Sequence, residues 1–249
     1  MTSPSMDEIK EEFETLEQAG WRDVFDDPFT TDWRDQWFLD GEKAVITQDE
    51  NGMDFQAGPD YGDDSCHAVL WTKELFEGDL KIEYEYTKLD DQFRCVTIIY
   101  IQATGSGTEP YVKDIAEWSE LRRVPAMREY FNHMHTYHLS YAAWDHFETE
   151  PEHDYIRARR YMPEANGLQG TDLEPASFST GLFKQDVPHQ ITIIKKGPQL
   201  YLRIKTSDQE KYCHWSAEDF PPVTEGRIGL RHMFTRSARY KNFRVSVAE

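Results

Sequence analysis

The chain has 249 residues, a length that suits a single all-β domain and buries enough apolar surface to fold without a disulfide or a metal. The formal net charge of −19 argues against nucleic acid as the main partner, because phosphate binding relies on an extended basic surface. The three cysteines lack a C-x-x-C spacing, which predicts reduced thiols.

The start of the chain carries most of the negative charge. Residues 1–64 hold 19 acidic and 4 basic residues, whereas residues 65–249 hold 27 acidic and 23 basic residues. No linker composition separates the two parts, so we predict one domain overall, with an acidic N-terminal extension over 1–64 joining a jelly-roll domain over 65–249. Without a signal-like start or a membrane-length apolar stretch, we expect no membrane partner and a cytoplasmic location, or a periplasmic or secreted one if a leader was trimmed.

A short helix is predicted near the start of the chain. Ser5 and Glu8 form a capping-box pattern. Ile9, Phe13 and Leu16 follow at helical spacing, so we expect this helix to lie against the body of the protein.

Most of the remaining chain has the pattern of short strands joined by turns. Residues 80–86 alternate apolar and charged side chains, whereas 94–102 are apolar on both sides, as in a central strand. Helical spacing predicts a mostly helical insertion over 110–131 that crosses one edge, and 163–183 are predicted to form a long irregular loop that shapes a site. About eleven short strands with few helices predict an all-β, antiparallel two-sheet sandwich of the jelly-roll type, with one sheet curved into a groove. The other predicted strands are 37–39, 44–48, 53–56, 68–72, 189–195, 199–204, 227–233 and 240–247.

The stretch 132–162 holds the side chains best suited to binding or chemistry. It contains five of the nine histidines, three arginines and four tyrosines. Its segments 135–141 and 155–162 alternate like strands, so each presents one apolar and one polar face. We interpret the polar faces as the floor of a binding groove. They carry His138, Ser140, Tyr155, Arg157, Arg159 and Tyr161.

Several segments together resemble a known family. They are the HxVLW and CVTIIYIQATG strands, the HLSY segment, an R-x-R strand, the VPHQITIIKKGPQLYLRI hairpin, and the closing GRIGLRHM followed by ARYKNFRV. Over 65–247 the chain resembles the concanavalin-like bacterial family typified by YesU, domain of unknown function 1961. The resemblance implies a jelly roll of the lectin and glucanase type and a saccharide ligand. It also implies a setting among genes for the breakdown of acidic plant or algal polysaccharides.

The polar face offers groups for proton transfer and for binding an anion. His138 can take or give a proton near neutral pH, and Arg157 and Arg159 offer planar forks for a carboxylate or sulfate. Arg231 lies on the face opposite its apolar neighbours and is predicted to add a third cation. Ser140 and Gln102 complete the predicted substrate-binding set.

Together these residues predict β-elimination at a uronic acid. A cation that neutralises the carboxylate makes the neighbouring proton more acidic, His138 serves as base or acid, and Tyr155 or Tyr161 protonates the departing oxygen. Hydrolysis is the alternative enzyme class, although no strand shows the E-x-D-x-x-E pattern of the related glucanases. A carbohydrate-binding module without chemistry remains a third interpretation, since arginines also bind sulfated sugars without reacting.

No cofactor or catalytic metal is predicted. On one strand His133 and His135 would share a face that His138 does not, so the three could not hold one ion. A structural Ca²⁺ is left open at Asp63–Asp64 or at Asp90–Asp91. The expected partner is an acidic oligosaccharide, and a homodimer is also left open.

Overall fold

The computed structural model describes residues 4–249 and shows a mostly β protein in which two antiparallel sheets pack face to face. The two-sheet sandwich with few helices predicted from the sequence is confirmed. In chain order the helices and strands are α1 (Met6–Glu17), β1 (Trp21–Asp27), β2 (Trp37–Asp40), β3 (Val45–Asp49), β4 (Gly52–Gln56), β5 (Ala68–Thr72), β6 (Phe76–Glu77), β7 (Leu80–Lys88), β8 (Cys95–Gly105), α2 (Met127–Phe131), β9 (Met134–Trp144), β10 (Tyr155–Tyr161), β11 (Asp172–Phe178), β12 (Pro188–Lys196), β13 (Gln199–Lys205), β14 (Glu210–Ser216), β15 (Glu225–His232) and β16 (Ser237–Ala248).

We call the two sheets the back sheet and the front sheet. The back sheet has the order β14-β13-β12-β7-β16-β4-β3, with β1 also paired to β16. The front sheet has the order β11-β10-β9-β8-β15-β5-β2, with β6 also paired to β15. The acidic segment 1–64 therefore supplies strands to both sheets, since β1, β3 and β4 lie in the back sheet and β2 in the front sheet.

The main core lies between the sheets. The alternation of side chains along β7 points Ile82 and Tyr84 into the core. Leu139 and Tyr141 of β9 point into the same core from the front sheet. The Tyr84 hydroxyl donates to the Tyr141 hydroxyl at 2.9 Å, so these buried polar groups satisfy each other across the sandwich.

Helix α1 begins with the predicted capping box. The Ser5 hydroxyl accepts from the Glu8 backbone N–H at 3.3 Å, and the Glu8 carboxylate accepts from the Ser5 N–H at 2.7 Å. Phe13 buries one face of α1 against Tyr212 of the back sheet, with ring centroids 5.4 Å apart. Neither α1 nor any other helix within 4–249 has the length and apolar character needed to cross a bilayer.

The predicted insertion over 110–131 is helical, but it does not cross an edge. It forms a 3-10 helix over Ile115–Arg122 and then α2, and it packs on the outer face of the front sheet. Tyr130 of α2 stacks on Tyr100 of β8 with ring centroids 5.7 Å apart. Part of the front sheet is thereby buried on both faces.

Four strands escaped the sequence prediction. Residues 163–183, predicted to be an irregular loop, contain β11, which extends the front sheet beyond β10. The strands β1, β6 and β14 were not predicted either, and each of the three pairs with a single strand: β1 with β16, β6 with β15 and β14 with β13.

Candidate functional site

The candidate site is a pocket on the outer face of the front sheet, beside the insertion that contains α2. Its volume is about 230 Å³. Six of the eight side chains predicted as catalytic or substrate-binding line this one pocket. They are His138, Ser140, Tyr155, Arg157, Arg159 and Tyr161.

Strand pairing explains why these residues meet. In the register of β9 with β10, Ser140 lies opposite Arg157 and His138 opposite Arg159. Residues directly opposite each other in an antiparallel pair point to the same face. The polar faces of both strands therefore combine into one surface.

A bulge in β9 keeps the side chains of β9 and β10 on the same face at the far end of the pocket. Ala142 has φ +44° and is the extra residue of β9 between the pairs formed by Tyr155 and Arg157. Tyr141 and Ala142 both pack into the main core, so Ala143 returns to the pocket face opposite Tyr155. We call the two ends of the pocket the Tyr155 end and the Tyr161 end.

His138 is almost fully buried in the pocket, with 5% of its surface exposed. Its Nδ1 lies 2.5 Å from the Tyr161 hydroxyl, and its Nε2 has no hydrogen-bond partner within residues 4–249. Burial holds the pKa of His138 well below its usual value, and the charges of Arg159, Arg231 and Arg157 lower it further. The imidazole is therefore neutral at neutral pH.

The two tyrosines of the pocket keep their protons. Burial raises the pKa of Tyr161 well above its usual value. Burial also raises the pKa of Tyr155, although Arg157 beside it acts in the opposite direction. At neutral pH both are proton donors rather than phenolates.

The two pocket arginines differ in their partners. Arg159 pairs with Asp172 of β11, with Nη2 2.9 Å from Oδ1. The Arg157 guanidinium lies 4.7 Å from the ring centroid of Tyr155, and no carboxylate of the described chain pairs with it. Arg157 is thus a half-buried cation available to an anionic ligand.

Arg231 does not reach the pocket, in contrast to the prediction. It lies on the outer face of the front sheet but is fully buried under the insertion, where Nη2 contacts the Pro125 carbonyl and His67 Nδ1, each at 2.6 Å. Its guanidinium also lies 4.4 Å from the ring centroid of Tyr130. Arg231 acts on the pocket only through its charge, which lowers the pKa of His138.

Gln102, which was also predicted to bind substrate, does not line the pocket either. It has φ +54° at a second bulge, in β8, and it is fully buried. Its side-chain amide donates to the backbone carbonyls of Phe76, Gly78 and Thr224 at 3.1–3.3 Å. Gln102 therefore ties β6 and the approach to β15 onto β8.

Sequence reasoning missed part of the pocket rim. Asp145 and His146, directly after β9, line the Tyr155 end together with Cys95. His146 Nδ1 lies 3.1 Å from the Tyr61 hydroxyl and 3.9 Å from the Cys95 sulfur. Burial raises the pKa of Cys95 to about 11, so the thiol is protonated and a poor nucleophile. Asp145 and His146 could have been predicted from their position, because they directly follow a strand whose polar face lines the pocket.

The acid pairs considered for Ca²⁺ contact cationic side chains. Lys43 Nζ lies 2.6 Å from Asp63, and Asp63, Asp60 and Cys66 form the one group of three potential metal ligands within reach in residues 4–249. Asp90 contacts two cations, Lys88 and Arg236, each at 3.1 Å.

Solved structures with a similar fold are lectin-like β-sandwiches. A galectin-like protein of unknown function from Bacillus subtilis has a TM-score of 0.69 at 18% identity, covering 92% of this chain and 100% of that one. A legume lectin-like domain from Entamoeba histolytica has a TM-score of 0.57 at 11% identity, covering 93% and 100%. The exoplasmic/lumenal domain of VIP36, in a Ca²⁺/Man3GlcNAc-bound form, has a TM-score of 0.54 at 10% identity, covering 88% and 85%. These likenesses define the class as a lectin-type sandwich.

Within that class, the chain belongs to the family described as Domain of unknown function (DUF1961), whose sequence profile matches residues 24–245. The family resemblance noted in the sequence is thereby confirmed, and the match begins earlier than residue 65. It includes β2, β3, β4 and most of β1. No curated protein matches the chain in sequence.

Proposed function

We propose that the protein binds an acidic saccharide in the front-sheet pocket and cleaves it by β-elimination at a uronic acid. The observation that supports this most directly is the buried, neutral His138, whose unpartnered Nε2 shares the pocket with the unpaired cation Arg157. An unpaired base beside an unpaired cation suits a substrate with an acidic C–H next to a carboxylate.

Arg157 is the proposed binding group for the carboxylate. A guanidinium offers two parallel N–H donors to a carboxylate, and pairing neutralises the carboxylate, which makes the proton on the neighbouring carbon more acidic. The bound anion also offsets the positive charge around His138, which raises the pKa of the imidazole and makes it a stronger base. Binding and base strength are therefore linked by electrostatics.

His138 is the proposed base and Tyr155 the proposed acid. With its proton on Nδ1, donated to the Tyr161 oxygen, the imidazole has its Nε2 lone pair free to remove the proton next to the carboxylate. The C–H electron pair becomes a carbon–carbon double bond, the bond to the β-oxygen breaks, and the Tyr155 hydroxyl protonates that oxygen. Water then returns the imidazolium and the phenolate to their starting forms.

Hydrolysis fits the pocket less well. A glycoside hydrolase needs two carboxyl groups placed across the scissile bond. Among the described residues that line the pocket, Asp145 is the one acid. The second candidate is saccharide binding without chemistry, which the lectin-like fold favours.

The test follows the ultraviolet absorbance of the conjugated, unsaturated uronate during incubation with a panel of uronic-acid oligosaccharides. We expect a rise that is lost in His138→Gln and in Arg157→Gln. The exposed residues His153 and Arg22 provide matched controls, and His153→Gln and Arg22→Gln should keep wild-type rates.

Two other outcomes would redirect the assignment. A flat absorbance trace with new reducing ends would indicate hydrolysis. A flat trace without product, but with binding by calorimetry that Arg157→Gln weakens, would indicate a lectin.

A further inference from the structure

Exposed aromatic side chains are concentrated at the Tyr155 end of the pocket. Among the described residues, eight large apolar side chains are exposed, and three of them are aromatic: Phe147 at 90%, Phe178 at 64% and Tyr61 at 37%. All three adjoin pocket residues. Scattered exposed apolar side chains are ordinary on a protein surface, whereas aromatics confined to the border of one pocket indicate a ligand.

Strand pairing places Phe178 on the pocket face. Phe178 is the last residue of β11 and lies directly opposite Tyr155 of β10. The two rings are 6.4 Å apart between centroids. Because β11 is the edge strand of the front sheet, the outer side of the Phe178 ring has no further strand to cover it.

Phe147 and Tyr61 border the same end from the other side. Phe147 follows the pocket residue His146, and their ring centroids are 6.2 Å apart. The Tyr61 hydroxyl donates to the His146 carbonyl at 2.7 Å, which fixes the start of this connection. The Tyr155 end is thus flanked by aromatic rings on two sides.

The opposite end of the pocket is closed by apolar side chains. Met127 and Phe131 of α2 and Leu168 line it next to Tyr161. The pocket volume of about 230 Å³ is below the roughly 300–1,000 Å³ typical of pockets for drug-sized ligands, so it suits a single sugar ring. A longer saccharide would leave the pocket over the Tyr155 end.

We propose that Phe178, with Phe147 on the opposite side, forms a stacking platform for the sugar next to the one in the pocket. The substrate is then an oligosaccharide whose terminal unit enters the pocket. This inference rests on the proposed function for the choice of a saccharide, but it concerns binding alone. Aromatic faces are apolar and polarisable, so they bind the C–H face of a pyranose without demanding a particular hydroxyl pattern.

The experiment measures the affinity of a uronic-acid monosaccharide and of the disaccharide from the same polymer by calorimetry. His138→Gln serves as the background, so that turnover does not interfere. Phe178→Ala should weaken disaccharide binding about 2–10-fold, the range of an aromatic stacking contact, and leave monosaccharide binding unchanged. Phe178→Trp should retain the difference between the two ligands. Leu75→Ala, an exposed apolar residue elsewhere, is the control.

Several results would overturn the platform. Equal affinities in Phe178→Ala and the background, or equal weakening for both ligand lengths, would show that Phe178 contacts no second sugar. A dimer in sedimentation that Phe178→Ala dissociates would show that the edge strand instead faces a second copy of the chain. If both ligands bind but the wild-type protein releases no unsaturated product, the proposed elimination is wrong. The comparison of the two ligand lengths still tests the stacking platform in that case. If no saccharide binds, both proposals fail.

Discussion

The Tyr161 hydroxyl lies 2.5 Å from Nδ1 of His138, and both side chains are buried at the closed end of the pocket. This contact fixes the orientation of the imidazole ring and occupies Nδ1. The other nitrogen, Nε2, is buried and has no hydrogen-bond partner within residues 4–249. In the proposed reaction, Tyr161 therefore sets the geometry of the pair and His138 transfers the proton.

The first prediction concerns this contact. Tyr161→Phe keeps the ring but removes the hydroxyl, so the imidazole loses its fixed orientation and tautomer. We expect kcat for uronate elimination to fall about 10–100-fold, with a smaller change in KM. Tyr111→Phe, whose ring stacks on His133 instead, is the control. Unchanged kcat in Tyr161→Phe would remove the positioning role.

The second prediction concerns the ion pair between Arg159 and Asp172. Asp172→Asn removes the partner charge and frees Arg159 to contact an anionic ligand. Because partly exposed ion pairs contribute little energy, we expect up to about a fivefold gain in affinity for a uronate at low salt. The gain should shrink as salt is added. Calorimetry at two salt concentrations measures it, and a loss of affinity would show that Asp172 itself binds the sugar.

The third prediction concerns a buried charge cluster away from the pocket. Lys88 and Arg236 are fully buried and share Asp90. Burial alone would raise the pKa of Asp90, but the two cations lower it overall. Asp90→Ala leaves both cations without a partner, so we expect a loss of about 3–5 kcal/mol in the free energy of unfolding. Urea denaturation measures it.

The exposed pair between Lys113 and Glu225, at 2.7 Å, provides the matched control for Asp90. Glu225→Ala removes an ion pair that is shorter than either contact of Asp90 but lies at the solvent-exposed surface. It should change the urea midpoint little. If both variants cost the same, burial is not what makes the Asp90 cluster important.

The fourth prediction concerns acid. Burial lowers the pKa of His189 to about 4 and of His232 to about 3, and it keeps His138 neutral as well. Below a pH of about 6.5 these histidines bind protons in the unfolded chain but remain neutral in the folded chain. The free energy of unfolding therefore falls as the pH drops through that value. Each such histidine costs about 2 kcal/mol at pH 5.

Urea denaturation between pH 7 and 5 measures this slope. His189→Gln should lower the slope by about one proton. An identical slope in His189→Gln and wild type would show that His189 titrates normally in the folded protein.

The pocket face of β9 and β10 was predictable because strand alternation is a local property. A period of two assigns His138, Ser140, Arg157 and Arg159 to polar faces without any knowledge of neighbours. Whether Arg231 reaches the pocket depends on which residues cover its strand. The same alternation that placed it on the outer face could not show that Pro125 and Tyr130 lie over it.

The predictions for Gln102 and for residues 163–183 were wrong for other physical reasons. A left-handed residue breaks alternation, and nothing in the letters around Gln102 marks the bulge. The strand β11 contains Pro175 and few apolar side chains, because an edge strand needs only one paired side. Composition alone therefore favoured a loop over 163–183.

The bulge at Ala142 has a consequence for how this pocket can diversify. The bulge absorbs one residue, so β9 can change its length here without changing which side chains face the pocket. Deletion of this single alanine would restore unbroken alternation and leave Ala143 on the pocket face and Trp144 on the core face. A lineage can thereby lose this codon and keep the wall of its binding site, whereas the loss of any neighbouring codon would replace the side chain at a position of that wall or of the core.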